Sequence, residues 1–404
     1  MTSVLAQEAD QVIGAVTDLA AELRERGPEI ERARRLPADV VAGLREAGVF
    51  RLWTPRELGG MEAEPAAVIR IIETLAAADG SAGWCSATGV ASNTVAGFLP
   101  EKGARELYST GLELAGGALM PGGQAVLQPD GSYLVNGQWS FGSGTQHCDW
   151  VVGGAVVTAG TAQAGGAAQG GAAQGGAAQA GGPPSIRAVV MPAAEIEFLD
   201  NWDVAGLEGT GSVDYRASGI RVPAEHTLAV DQISPWPAGN MWRTPLTSLL
   251  FPLLAAVPLG IARRAVAELN ELALTKTPFR SSRLLADREG VQAALARSAA
   301  LIESGHHYLV ASMTAVRQAC EDGGAPTVDQ RAQARLAAVH ATTAAAEAVM
   351  LCYRSAGTTA LYRSSPLQRA LRDVNAATQH YALGAPGFDM VGRVLLGMEP
   401  DPSL

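Results

Sequence analysis

The sequence predicts a mainly α-helical chain with a β domain in its middle, and three observations carry that expectation. Apolar residues recur at helical spacing through residues 4–115. From about 116 to 230 the texture changes to short β-branched segments separated by Gly, Asp and Pro. Long Ala- and Leu-rich segments then run to the end. The order helix, β, helix divides the chain into an N-terminal helical domain (1–115), a middle β domain (116–232) and a C-terminal helical bundle (233–404).

In the first part, Val40, Val41 and Leu44 share one face of a helix over 37–47, and Gly48 follows as a C-cap. A second helix over 65–78 opens on Pro65 and repeats Val68, Ile69, Ile71, Ile72 and Leu75 at helical spacing.

Strands are expected at 125–127, 133–135, 150–157 and 186–191. The stretch QPDGSYLVNGQWSF reads as strand–turn–strand, with turn dipeptides at Asp130-Gly131 and Asn136-Gly137. Residues 158–184 carry an AAQGG repeat that buries too little apolar area to offset its ordering entropy. A disordered inter-strand loop is expected there.

Four apolar helices, at 246–274, 286–321, 327–356 and 367–383, predict an antiparallel four-helix bundle. Their alanine content predicts close helix approach and oligomerisation. The apolar run 246–261 contains Pro252 and Pro258 and is too short to span a bilayer.

A net charge of -10 argues against a nucleic-acid surface, which needs basic patches. Cys85, Cys148, Cys320 and Cys352 are scattered without a CxxC pair, which fits a reducing cytosol and argues against disulfides or a metal site. The N-terminus has early acidic residues and no basic n-region before an apolar core, unlike a signal peptide. A cytoplasmic protein without membrane association is expected.

Four segments, in order and covering nearly the whole chain, resemble the acyl-CoA dehydrogenase superfamily. They are LREAGVFRLWTPRELGG (44–60), NGQWSFGSGTQHCDW (136–150), VAGLEGTGSVDYRASGIRVPAEH (204–226) and YRSAGTTALYRSSPLQRALRDVNAATQH (353–380). The resemblance implies a helical domain, a β-barrel-like domain and a four-helix bundle around a flavin, commonly assembled as a homotetramer.

A dehydrogenase of this superfamily needs a carboxylate to remove a proton from its thioester. The usual position, after the "RD" helix, here reads Gln379-His380, and the alternative position falls on Leu250. Gln-His instead resembles the flavin-dependent monooxygenase branch. The oxygenase components of 4-hydroxyphenylacetate 3-hydroxylase, steroid-ring phenol hydroxylases and dibenzothiophene monooxygenase are examples. That resemblance implies reduced FMN or FAD supplied by a separate NAD(P)H flavin reductase, molecular oxygen, a C4a-hydroperoxyflavin and an aromatic or polycyclic substrate. An acyl-CoA dehydrogenase or oxidase with a relocated base, and an N-oxygenase of an amine or amino sugar, are the alternatives.

The resemblance places the flavin against Phe141, Gly142 and Ser143, where small flanking residues admit the ring and a hydroxyl meets it. Trp139 either walls the isoalloxazine or fills the core. Thr210 and Ser212 form a Gly-bounded hydroxyl pair for a phosphate or flavin edge, or an ordinary turn. Arg280 aligns with a pyrophosphate-binding arginine, or is solvated. His380, as an imidazole that titrates near neutrality, is expected to take a phenolic or indolic proton, with Ser143 assisting at the flavin. His147 lines the pocket or faces solvent. Asp373 positions its helix or His380. His306 and His307 are expected at the surface or an interface. Some phenol hydroxylases of this fold carry a further substrate-binding His in the N-terminal domain. Residues 85–98 have none, and Ser92 and Asn93 are the nearest polar groups.

Overall fold

The computed structural model describes residues 2–158, 185–230, 234–401 and 404. Five helices lead: α1 (Thr2–Ala33), α2 (Ala38–Glu46), α3 (Pro65–Ala78), α4 (Gly80–Asn93) and α5 (Glu101–Leu107). Seven strands follow: β1 (Ala115–Leu127), β2 (Tyr133–Trp139), β3 (Trp150–Thr158), β4 (Ile186–Pro192), β5 (Glu197–Phe198), β6 (Tyr215–Val222) and β7 (Thr227–Ala229). The chain closes on α6 (Leu246–Thr275), α7 (Glu289–Glu321), α8 (Val328–Ala356), α9 (Pro366–Thr378) and α10 (Pro386–Leu395).

The apolar spacing read from the sequence becomes the core. α3 buries Val68, Ile69, Ile71, Ile72 and Leu75, and Gly48 turns left-handed (φ 79°) behind α2. α4 is capped by Asp79, whose carboxylate accepts the Ala82 N–H at 2.9 Å, and is buried along most of its length. Its small residues make that possible. A Cβ at Gly83 would lie 2.5 Å from Ala76 Cβ on α3, so any side chain there would force the two helices apart.

The strands form one mixed sheet in the order β5-β6-β2-β1-β3-β4-β7, with β1 and β3 parallel and the other pairs antiparallel. Asp130-Gly131 makes the expected turn, with Gly131 at φ 85°. Asn136-Gly137 does not. Both residues lie inside β2, where the pairing with β6 shifts register after Val135. There the Asn136 side chain accepts the Gly219 N–H at 2.8 Å. A bulge at Gly219 of β6, not a hairpin, lies opposite the turn-prone dipeptide. The repeat tract falls outside the described residues, apart from Thr158 at the end of β3.

α6, α7, α8 and α9 pack together in the C-terminal part, with α6 also against α3 and α4. Pro252 and Pro258 lie within α6 without ending it, so the apolar run read as too short for a bilayer belongs to a 30-residue helix. By length and composition α6 and residues 328–361 are apolar enough to cross a membrane. However, 78% and 56% of their most apolar windows are buried inside the protein. The helix expected over 367–383 stops at Thr378. A turn carrying His380 and Tyr381 intervenes, and the short α10 begins at Pro386. His306 has a partner within the chain. It is half-buried, with Nδ1 2.7 Å from the buried carboxylate of Glu73, which also accepts from Arg263.

Candidate active site

Between β2 and β3 the chain makes a tight turn pinned to the loop before β6. Gly142 N–H donates to the Val213 carbonyl (2.9 Å) and Gly144 N–H to the Thr210 carbonyl (3.0 Å). Phe141 pays for this turn: it sits at φ 63°, a region costly for any residue with a Cβ, and its ring is 73% exposed. An exposed phenyl on a strained backbone, edge-on to Trp202 at 6.4 Å, offers a flat apolar surface at the rim of the turn.

The same pinning brings three hydroxyls into line. Ser143 Oγ lies 2.7 Å from Ser212 Oγ, and Ser212 Oγ lies 2.7 Å from Thr210 Oγ1. Thr210 Oγ1 donates to the Leu207 carbonyl at 2.8 Å. Ser212 and Thr210 are buried, so they stand behind Ser143. Thr210 and Ser212, expected either to touch a phosphate or flavin edge or to form an ordinary turn, are both corrected to supporting positions behind Ser143.

Trp84, from α4, joins this cluster to His380. Its Nε1–H donates to Ser143 Oγ at 3.1 Å, and its ring meets the His380 ring edge to face at 5.5 Å. The aromatic row continues through Tyr381 (4.9 Å from His380) to Phe251 of α6 (5.7 Å from Tyr381) and reaches the surface at Tyr381. Nothing in the sequence reading singled out Trp84. The cue was available: a lone large aromatic within GSAGWCSATG, where every neighbour is small.

His380 Nδ1 accepts the Ala382 N–H at 3.2 Å, which places the proton of the neutral ring on Nε2. Burial, with Arg335 nearby, pushes its pKa down to about 4. The free nitrogen is therefore a donor at neutral pH. The proton-abstracting role expected of His380 would need the opposite tautomer. Arg335, on α8, supports this turn. It is buried, its guanidinium lies over Phe251 at 4.5 Å, and its Nη2 donates to the Tyr381 carbonyl at 3.0 Å. Arg335 too was missed, since α8 gives no local sign that one of its arginines faces inward.

The other expected residues separate. Trp139 is not a flavin wall: it is 2% exposed, stacked on Tyr215 at 5.3 Å, with Nε1 bonded to the Gly154 carbonyl. Its side of β2 faces the β core, which decides the question. Asn93 is not free for substrate either. It is buried, its amide donates to the Phe50 and Glu113 carbonyls, and its oxygen accepts the Ala115 N–H. It stitches α4 to β1. His147 lines a small cavity with Ser143, Gly144, Phe50 and Cys85. Its Nε2 is buried without a partner, and burial with Arg35 and Arg45 lowers its pKa to about 4. Arg280 is exposed in the connection between α6 and α7, at φ 58°, with its guanidinium over Phe279. Leu250 presents only hydrocarbon, and Gln379 is exposed. Neither position expected for a dehydrogenase base holds a carboxylate.

Comparison with known proteins fits this arrangement. Residues 7–110 match the family model "Acyl-CoA dehydrogenase, N-terminal domain", and residues 253–384 match "Acyl-CoA dehydrogenase, C-terminal domain". The chain is 30% identical over 381 residues to indole-3-acetate monooxygenase of Pseudomonas putida, covering 94% of this chain and 92% of that one. It is 27% identical to the flavin-dependent monooxygenase oxygenase subunit HsaA of Mycobacterium tuberculosis, covering 95% and 94%. The crystal structure of that HsaA monooxygenase superposes with a TM-score of 0.86 over 98% of this chain and 99% of that one, at 25% identity. XiaF from Streptomyces sp., solved with FADH2 and glycerol, shares the fold with a TM-score of 0.89 at 24% identity, over 100% and 99%.

Proposed function

Because the chain belongs to the acyl-CoA dehydrogenase family, within its flavin-dependent monooxygenases, we propose that it is an oxygenase component that hydroxylates an aromatic or polycyclic small molecule. Reduced FMN or FAD would come from a separate NAD(P)H flavin reductase. One observation carries the reading: Ser143 and His380 both meet a single indole, Trp84. A flavin-facing hydroxyl and a substrate-facing imidazole are thereby held by one rigid part.

The residues present fit a flavin. Phe141 gives a planar ring an apolar face, and Ser143 puts a polar atom at its rim. Arg280, exposed on its own connection, is suited to a phosphate of the cofactor tail. Bound reduced flavin supplies the electrons that activate molecular oxygen, one atom of which passes to the substrate. The protein's part is placement. Phe141 and Ser143 orient the ring, Trp84 fixes the spacing, and His380 directs its Nε2–H at a polar group of the substrate. Tyr381 and Phe251 continue the aromatic wall along which an aromatic substrate would lie.

Exposed Leu361, Tyr362, Leu395 and Leu396 fit burial between copies of this chain, and we assign the working form as a homotetramer. Its four free cysteines fit the cytosol.

The test supplies anaerobically reduced FMN or FAD, isotopically labelled oxygen and a panel of phenols, indoles and polycyclic aromatics. Incorporation of one labelled oxygen atom into an aromatic substrate is expected. A protein that takes up neither flavin, or whose bound flavin is bleached by an acyl-CoA, would overturn the reading. Oxygen transfer confined to amines would move the assignment to N-oxygenation.

A further inference from the structure

The hydroxyls behind Ser143 have a direction that their partners fix. The Leu207 carbonyl can only accept, so the single hydroxyl proton of Thr210 is committed to it at 2.8 Å. The 2.7 Å contact between Thr210 and Ser212 must then take its proton from Ser212. By the same reasoning the 2.7 Å contact between Ser212 and Ser143 takes its proton from Ser143. At the near end, Trp84 Nε1–H can only donate, and it donates to Ser143 Oγ. The relay reads Trp84 to Ser143 to Ser212 to Thr210 to Leu207. Thr210 is 1% exposed and Ser212 4%, so bulk water does not offer either an alternative partner. Every hydroxyl proton is spent, and what Ser143 has left for a ligand is a lone pair.

We propose that this relay makes Ser143 an obligatory hydrogen-bond acceptor and so selects the bound flavin by redox state. The inference rests on the proposed function, with Ser143 as the flavin contact at N5. Reduced flavin carries a proton on N5, which suits an acceptor. Oxidised flavin has only a lone pair there, and would set lone pair against lone pair. Turning the relay round to supply a proton forfeits the Thr210 bond to Leu207. Ser212 and Thr210 thus act through Ser143 as positioning residues. The arrangement suits an enzyme that must receive reduced flavin from a separate protein and discard the oxidised form.

The test is a pair of binding titrations, oxidised flavin in air and photoreduced flavin under anaerobic conditions, on the wild type, Ser212→Ala and Thr210→Val. FMN and FAD are both used. The wild type should bind the reduced form tighter by about tenfold or more, the worth of one hydrogen bond. Ser212→Ala removes the acceptor that holds the Ser143 proton. Thr210→Val removes the anchor at Leu207, which frees Ser212 to donate to Ser143. By two different routes both variants let Ser143 donate outward. Each should tighten oxidised flavin and narrow the ratio by about tenfold. The potential of the bound flavin should shift to match. Equal wild-type affinity for the two forms, or a ratio unchanged in both variants, would overturn the inference while leaving flavin binding intact. Failure to bind either form in either state would strike the proposed function instead.

Discussion

Asp373 Oδ1 accepts the backbone N–H of Leu207 at 2.7 Å, across 166 residues of chain. That bond fastens α9, which leads into the His380 turn, to the loop that ends the Ser143 relay. Arg372, next in sequence, reinforces it by donating to the Ala205 carbonyl and pairing with Glu208 and Glu31. The approach is close enough that a Cβ at Gly206 would lie 2.2 Å from the Arg372 carbonyl oxygen. The turn that carries His380 and the loop behind Ser143 are therefore one mechanical unit.

Asp373→Ala should destabilise the fold by about 1–3 kcal/mol, because it leaves the Leu207 N–H buried and unpaired. Asp373→Asn keeps an acceptor and should behave differently with pH. Burial raises the Asp373 pKa to about 7, so the folded protein binds a proton that the unfolded chain gives up near its ordinary carboxylate range. Asp373 thus costs the wild type stability as pH rises toward 7. The stability of Asp373→Asn relative to wild type should grow between pH 5 and 8, by a few kcal/mol at most. Urea unfolding at the two pH values measures it, and a flat difference would contradict the assignment.

Phe141 separates stability from function. Its left-handed backbone costs about 1–2 kcal/mol for a residue with a Cβ, and its exposed ring contributes little burial. Phe141→Gly should leave the melting temperature unchanged or raise it while weakening binding of reduced flavin. Calorimetry and flavin titration check the two halves. A drop in both would mean that the ring works as a structural wedge.

Strands β1 to β4 and the helix periods were legible because each is a local pattern of alternation or apolar spacing, whereas the 141–144 turn was tied to a flavin only by resemblance. His380 was legible only through resemblance, since one imidazole after a helix says nothing by itself. Trp139 and Asn93 went astray for a common reason. Which side of β2 faces the core, and whether an amide is spent on backbone groups 20 and 43 residues away, are tertiary facts. Trp84 and Arg335 were hidden likewise. Their importance comes from what they meet, the hydroxyl of Ser143 and the carbonyl of Tyr381, and those partners lie 59 and 46 residues off.

Arg335→Met should act on His380 without touching the 141–144 turn. Arg335 anchors the Tyr381 carbonyl and helps to keep the imidazole uncharged. The variant should raise the His380 pKa from about 4 toward the ordinary histidine range, and loosen the turn. Nitrogen NMR of the imidazole reads the titration directly. An unchanged titration would remove Arg335 from the electrostatics of the site.

His380 itself gives the sharpest contrast. With Nδ1 engaged by Ala382 and the proton on Nε2, the ring offers substrate a donor, and Gln can offer a comparable N–H where Leu cannot. His380→Gln should keep hydroxylation within about tenfold of wild type, whereas His380→Leu should lose more than that. If His380 removed a proton, the two variants would be equally poor. Trp84 from α4, Arg335 from α8 and the phenol of Tyr381 face it. Its folded pKa lies below the unfolded value near 6.5. The neutral ring therefore adds stability that is fully present above that value and is lost as pH falls toward 4. Hydroxylation should accordingly show no His380 limb between pH 6 and 9, and should fall only below about pH 5, where the ring charges. A rate limb near pH 6.5 that disappears in His380→Gln would restore the base.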